Sequence, residues 1–151
     1  GTVTFKGKQY KVLGNAWYDR EWSASLLDKS QQGWDWFSLT SNETHKEGLM
    51  LFCIRNTQQH YDYCSGTRIA QNGQANALSR DDIQLQALEH ITLDGTSYPS
   101  KWQITLPNIA PIFIETLTKD SLNRLSIQYW EGRVSATGGF NGKGYAELAG
   151  Y

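Results

Sequence analysis

The chain is expected to fold as an all-β antiparallel domain, on three observations. Apolar and polar residues alternate with period two rather than 3.6 from end to end. The alternating runs are rich in aromatic and β-branched residues, which suit a pleated, half-buried surface. Between the runs lie Gly- and Asn-containing turn sequences, and short strands at this spacing point to a barrel or a sandwich.

The strand-like runs are Thr2–Phe5, Gln9–Leu13, Ala16–Ser23, Trp34–Thr40, Leu49–Asn56, Tyr61–Ala70, Lys101–Leu106, Ile112–Leu117, Ser126–Gly138 and Gly144–Tyr151. Turns are expected at Lys6-Gly7-Lys8, Gln71-Asn72-Gly73-Gln74, Asp94-Gly95 and Asn141-Gly142, where Asn-Gly and Asp-Gly favour tight hairpins. The segment after Ser79 has two readings. Ser79 and Asp82 have the spacing of a helix capping box; yet Ile83, Leu85, Ala87 and Ile91 alternate with polar neighbours, which favours a strand.

With 151 residues, 39% hydrophobic and 19% charged, the chain fits one globular domain with a sizeable core. A net charge of -1 without a Lys/Arg cluster removes the electrostatic basis for nucleic-acid binding. No apolar run reaches the roughly 20 residues that cross a bilayer as a helix. A strand-like start without an initiator Met is expected of a domain excised from a longer chain, any secretion signal having been removed.

Four tryptophans, Trp17, Trp22, Trp34 and Trp36, sit in two short segments beside ionisable residues. A buried indole removes roughly 150–250 Å² from water, so these segments are expected to organise the core. If Trp36 is core, Trp36→Ala should cost about 3–5 kcal/mol. Strand alternation puts Trp17, Asp19 and Glu21 on one face, and sets Trp34 and Trp36 against Asp35. An Asn141-Gly142 turn would pair Phe140 with Lys143, Ala136 with Glu147 and Val134 with Ala149. Glu131 and Glu147 would then lie on opposite faces.

A hairpin joining Leu49–Asn56 to Tyr61–Ala70 places Cys53 opposite Cys64. Directly opposed residues are close enough for a disulfide. An oxidised hairpin in a secreted or periplasmic protein and a pair of buried free thiols both fit this pattern.

Motifs for other chemistries are missing. There is no Gly-x-Ser-x-Gly elbow, and His45, His60 and His90 are scattered singly. The cysteines lack metal-site spacing, so neither a metal nor another cofactor is expected. The glycines around Lys143 do not have the spacing of a phosphate loop. Asp19 and Glu21, about 6.5 Å apart on an extended strand, match glycosidase carboxylates only in the way many surface strands do. Isolated acids of this kind commonly sit in solvent or pair with Arg20, Arg55, Arg68 or Arg133. An acid desolvated against indole rings would instead have a raised pKa and could protonate an alkene.

The segments Gly14–Trp22, Gly33–Leu39, Gly48-Leu49-Met50 with Arg55, Tyr98-Pro99 with Trp102, Tyr129-Trp130-Glu131-Gly132 and Gly144–Tyr151, in this order, resemble the C-terminal domain of AttH-like proteins. That group contains the carotenoid 1,2-hydratases (hydroxyneurosporene synthases) and proteins labelled predicted secreted hydrolases. The resemblance implies an antiparallel lipocalin-like (calycin) barrel of about eight to ten strands, packed in the full protein against an N-terminal lipocalin-like domain. Where the family usually has Asp-His-Glu-Trp, this chain has Asp19-Arg20-Glu21-Trp22, an always-charged guanidinium replacing an imidazole. The acidic Gln-Glu element of the family is also missing from Thr118–Asn123.

Three functions are therefore expected candidates. The first is binding of an apolar isoprenoid or lipidic molecule, with Trp17, Trp22, Trp34, Trp36, Arg55, Tyr129, Trp130, Glu131 and Tyr145 as ligand-binding residues. The second is hydratase-like acid catalysis on such a ligand, with Asp19, Glu21 or Asp35 as proton donor. The third is an accessory barrel that packs on its partner domain.

Overall fold

The computed structural model describes residues 1–20, 27–42 and 46–151. The chain opens with a hairpin, β1 (Thr2–Phe5) and β2 (Lys8–Lys11), turned through Lys6 and Gly7 at φ 48° and 76°. It forms a two-stranded sheet separate from the main one. The main sheet contains β3 (Gln31–Ser41), β4 (Gly48–Asn56), β5 (Tyr61–Ile69), β6 (Ala75–Leu78), β7 (Gln84–Leu93), β8 (Thr96–Thr105), β9 (Ile112–Thr116), β11 (Gln128–Gly138) and β12 (Gly142–Ala149). Its spatial order is β6-β5-β4-β3-β12-β11-β9-β8-β7, antiparallel throughout, and the short β10 (Leu122–Arg124) pairs with β11.

The sheet curls so that strands distant in this order share one core. Phe37 on β3 meets Trp102 on β8 edge to face, with centroids 5.2 Å apart. Leu39, Leu49, Leu51, Ile104, Ile112, Ile114, Trp130, Val134 and Leu148 fill the same concave interior, all buried. The edge strands β6 and β7 do not pair, so the barrel is open along that seam. The all-β expectation holds, as does a strand over most of Ile83–Ile91: the Ser79 capping box serves only a three-residue 3-10 turn, Arg80–Asp82. Two strands, β6 and β10, went unanticipated because four and three residues carry too little alternation to stand out.

Three expectations are corrected. Ala16–Arg20 is not a strand; no neighbour offers it a ladder, and it lies as a strap over the outer face of the main sheet. The rest of that predicted run, residues 21–23, lies outside the described residues.

The second correction concerns the indoles. Trp34 and Trp36 point to the convex face and are half-buried, whereas Asp35 between them is fully buried on the concave side. The core indoles are Trp102 and Trp130. Burial in a strand depends on which face curls inward, and that is a property of the whole sheet.

The third is the β11–β12 hairpin. Ala136 pairs with Gly142, Val134 with Gly144 and Glu131 with Glu147. Asn141-Gly142 is not the turn: β11 ends at Gly138, at φ 92°, the Gly139 amide donates to the Pro111 carbonyl, and Phe140 is buried. The offset from the expected register is odd, which moves every β12 side chain to the other face. Glu131 and Glu147 therefore share the outer face.

Candidate functional site

Two constellations arise from β3, one on each face. On the concave side, the expected Cys53–Cys64 alignment is realised and the two are joined in a disulfide. Asp35 is the β3 partner of Cys53, and Arg55 lies two residues further along β4. Arg55 Nε donates to Asp35 Oδ1 at 3.0 Å, with both side chains almost fully buried. The hydroxyls of Tyr61 and Tyr151 also donate to Asp35, at 2.6 and 2.8 Å. The remaining guanidinium donors reach the Gln59 side chain and the Ala149 carbonyl, and the guanidinium stacks 3.6 Å above the Tyr151 ring. Gly33 makes room for this: a Cβ there would stand 2.9 Å from Arg55 Nη2 and 1.9 Å from the Ala149 oxygen.

Burial first, then the negative charge of Asp35, pushes both tyrosine hydroxyls well above their ordinary range. They stay protonated as donors. A buried charge pair is tolerated when its hydrogen-bonding capacity is used, and here it is. Asp35 is thus fully engaged inside the fold and turned away from the outer face. The cluster borders a cavity of about 940 Å³ along the open seam, with Ile83, Leu85, Ala87, His60 and His90 also on its wall.

The second constellation is a cleft of about 530 Å³ on the convex face. β3 supplies Trp34, Trp36 and Ser38; β4 supplies Phe52; β11 supplies Glu131; β12 supplies Tyr145 and Glu147. Register accounts for the grouping, because Trp36 lies between Phe52 and Glu147, Ser38 opposite Tyr145, and Glu147 opposite Glu131. Gly144 lets β12 approach β3, since a Cβ there would fall 1.7 Å from the Ser38 oxygen. Trp34 Nε1 donates to Glu147 Oε1 at 2.8 Å.

The strap closes one side with Asn15, Ala16, Trp17 and Asp19. Trp17 packs edge to face on Trp36, centroids 6.4 Å apart, and Lys46 Nζ donates to the Asn15 side chain. Among the described residues the buried Trp17 ring nitrogen has no hydrogen-bond partner, and the ring packs against Trp36. Asp19 accepts the Arg20 backbone N–H at 2.8 Å.

Of the residues singled out in the sequence, Trp17, Asp19, Trp34, Trp36, Glu131 and Tyr145 come together in the cleft. Asp35 and Arg55 form the interior cluster, and Trp130 is core, its ring N–H donating to the Lys119 carbonyl at 2.9 Å. Tyr129, between Asn123 and Ala149 in the sheet, does not line the cleft. Glu21 and Trp22 lie outside the described residues. Phe52, Ser38 and Glu147 were missed in the cleft, and Tyr61 and Tyr151 in the cluster. A correct β11–β12 register would have exposed Glu147; nothing local marks the tyrosines. Among the described residues no group of three or more His, Cys, Asp or Glu side chains is placed to hold a metal ion. No helix among them is long and apolar enough to cross a membrane.

The AttH-like family model matches residues 1–151. A crystal structure of a Nitrosomonas europaea protein assigned to AttH is similar at 26% identity, with a TM-score of 0.77 over 86% of this chain and 42% of that one. Kievitone hydratase from Nectria haematococca shares the fold at 18% identity, with a TM-score of 0.68 over 88% of this chain and 43% of that one. The curled sheet is lipocalin-like, as in these neighbours. The chain spans less than half the length of the solved structures it matches. No curated protein sequence matches it.

Proposed function

Because the chain belongs to the AttH-like family, we propose that its convex-face cleft binds an apolar, unsaturated molecule and presents carboxyl groups for acid-catalysed addition of water. One observation carries this reading: Trp17, Trp34, Trp36, Phe52 and Tyr145 converge with Asp19, Glu131 and Glu147 on a single cleft. Flat apolar walls with a few polar groups are how small-molecule sites combine affinity with orientation. Among the described residues the larger cavity along the open seam is lined by no indole and by one carboxyl, Asp81, which favours the convex cleft as the ligand site. That kievitone hydratase has this fold supports hydration as the reaction class.

Hydration needs one carboxyl as acid and one as base. Glu131 is assigned the acid: its proton forms a new C–H bond at one alkene carbon and leaves a carbocation at the other. Water bonds to that carbon, and the proton it sheds passes to Glu147, whose carboxylate already accepts the Trp34 N–H. One alkene and one water give one alcohol, and proton exchange with solvent restores both carboxyls. The indole faces lower the energy of the cationic intermediate.

The Cys53–Cys64 bond supports a secreted or periplasmic location. The length of the solved neighbours supports a second lipocalin-like domain in the full protein, standing beside this one.

Titration with retinol, a polyene alcohol, tests the binding step. Saturable binding is expected, weakened at least tenfold by Trp36→Ala with the far-ultraviolet circular dichroism unchanged. Equal binding by wild type and variant overturns the placement of the ligand.

A further inference from the structure

The cleft carries an electrostatic character that a purely apolar ligand leaves unused. Among the described residues its lining holds three carboxylates, Asp19, Glu131 and Glu147, five aromatic rings, and no Lys, Arg or His. Arg133, opposite Tyr145, and Lys143, two residues before it, stand on the same sheet face without lining the cleft, and Arg20 follows Asp19 in the strap without lining it. Lys46 at the strap is turned to Asn15. A ring face carries the negative end of its quadrupole, so stacked aromatic walls attract cations and reject anions. Low-dielectric walls lined by one sign of charge focus that field within the cleft.

We propose that this cleft is selective for organic cations, binding quaternary or tertiary ammonium compounds more tightly than neutral molecules of the same shape. The claim rests on the assignment of the cleft as the ligand site and names a ligand class for it. The rings supply the apolar contact area that a strongly hydrated inorganic cation would not use. The carboxylates neutralise the charge from the rim, with Glu131 exposed on that rim and Glu147 held in place by Trp34. An ammonium centre is also the stable counterpart of a carbocation. A cleft built to favour positive charge at carbon should therefore hold such compounds as inhibitors, because binding energy directed at a transient species is strongest for its mimics.

Choline and 3,3-dimethyl-1-butanol make the comparison, since the second replaces the quaternary nitrogen of the first by carbon. Binding is followed through the tryptophan indole N–H resonances. Choline is expected to bind at least tenfold more tightly than its neutral isostere at low ionic strength. Raising the salt from about 20 to about 500 mM should shrink that preference, because an exposed rim charge is screened. Glu131→Gln, a substitution at an exposed position, should reduce the preference threefold or more. Equal or tighter binding of the isostere, or an unchanged preference in both Glu131→Gln and Asp19→Asn, overturns the proposal. Retinol binding that persists in that case keeps the ligand site itself; loss of response to all three compounds removes both.

Discussion

Glu131 and Glu147 stand directly opposite one another across β11 and β12 on the convex face, with the Trp34 indole N–H bound to Glu147. Opposed residues have Cβ atoms about 4.5–5.5 Å apart, so two carboxyls are held where one substrate bond can lie between them. If they act as acid and base, each single change to Gln should lower kcat by roughly 10²–10⁴-fold, with little change in thermal stability. The double variant should be no worse than about tenfold below the weaker single one, because groups acting as a unit are non-additive. Steady-state kinetics on an alkene substrate of the full protein would check this, and singles retaining more than half of the activity would remove both residues from the mechanism.

Trp36 and Trp130 make a second contrast. Trp130 is fully buried and its N–H is bonded within the core, so Trp130→Ala should cost about 3–5 kcal/mol. Trp36 is half-buried on the outer face beneath Trp17. Its replacement by Ala should cost about 1–2 kcal/mol, less than a core position demands because part of the ring already meets solvent. Urea unfolding of the two variants ranks them, and a larger loss for Trp36→Ala would contradict the facing described.

Period-two alternation made most strands legible, and the Cys53–Cys64 alignment followed from one hairpin loop. The signals failed wherever they depended on the curl of the sheet. Trp34-Asp35-Trp36 alternates perfectly, yet alternation does not say which parity faces inward; here the acid takes the core because Arg55, Tyr61 and Tyr151 arrive from β4, β5 and the C-terminus to satisfy it. Asn141-Gly142 carried a strong turn signal that lost to two long-range events, the burial of Phe140 and the Gly139 bond to Pro111. Six cleft residues were legible as types because rings beside acids are conspicuous. Phe52 and Glu147 were not, because only the register brings them to Trp36.

The interior cluster sets an alkaline limit to stability. Tyr61 and Tyr151 have an ordinary value of 10.0 that burial and Asp35 raise in the folded state. Above pH 10 the unfolded chain therefore releases these protons while the folded one keeps them. Their contribution is complete below pH 10 and is lost as pH rises beyond it. Tyr61→Phe with Tyr151→Phe should lower stability at pH 7 and flatten the decline between about pH 10 and 11.5. Asp35→Asn strands the Arg55 charge and should cost about 3–5 kcal/mol at neutral pH. Denaturant midpoints across that range test the slope; parallel curves for wild type and the double Phe variant would exclude the two hydroxyls as its source.

The Cys53–Cys64 bond closes a loop with a sequence separation of 11. In the chain-entropy account a loop of this length limits the unfolded ensemble by about 2–3 kcal/mol. Cys53 also pairs with Asp35 across β3 and β4, so the bond stiffens the strands that carry Asp35, Arg55 and Tyr61. The Cys53→Ala, Cys64→Ala variant should lose about 2–4 kcal/mol, and its unfolding should no longer respond to dithiothreitol. The convex cleft, on the other face of β3, should keep its retinol affinity within about threefold in the folded variant. Equal stability of the wild type with and without reductant would show that the bond does not form in the purified protein. A large loss of retinol affinity would instead show that the two faces of β3 are coupled.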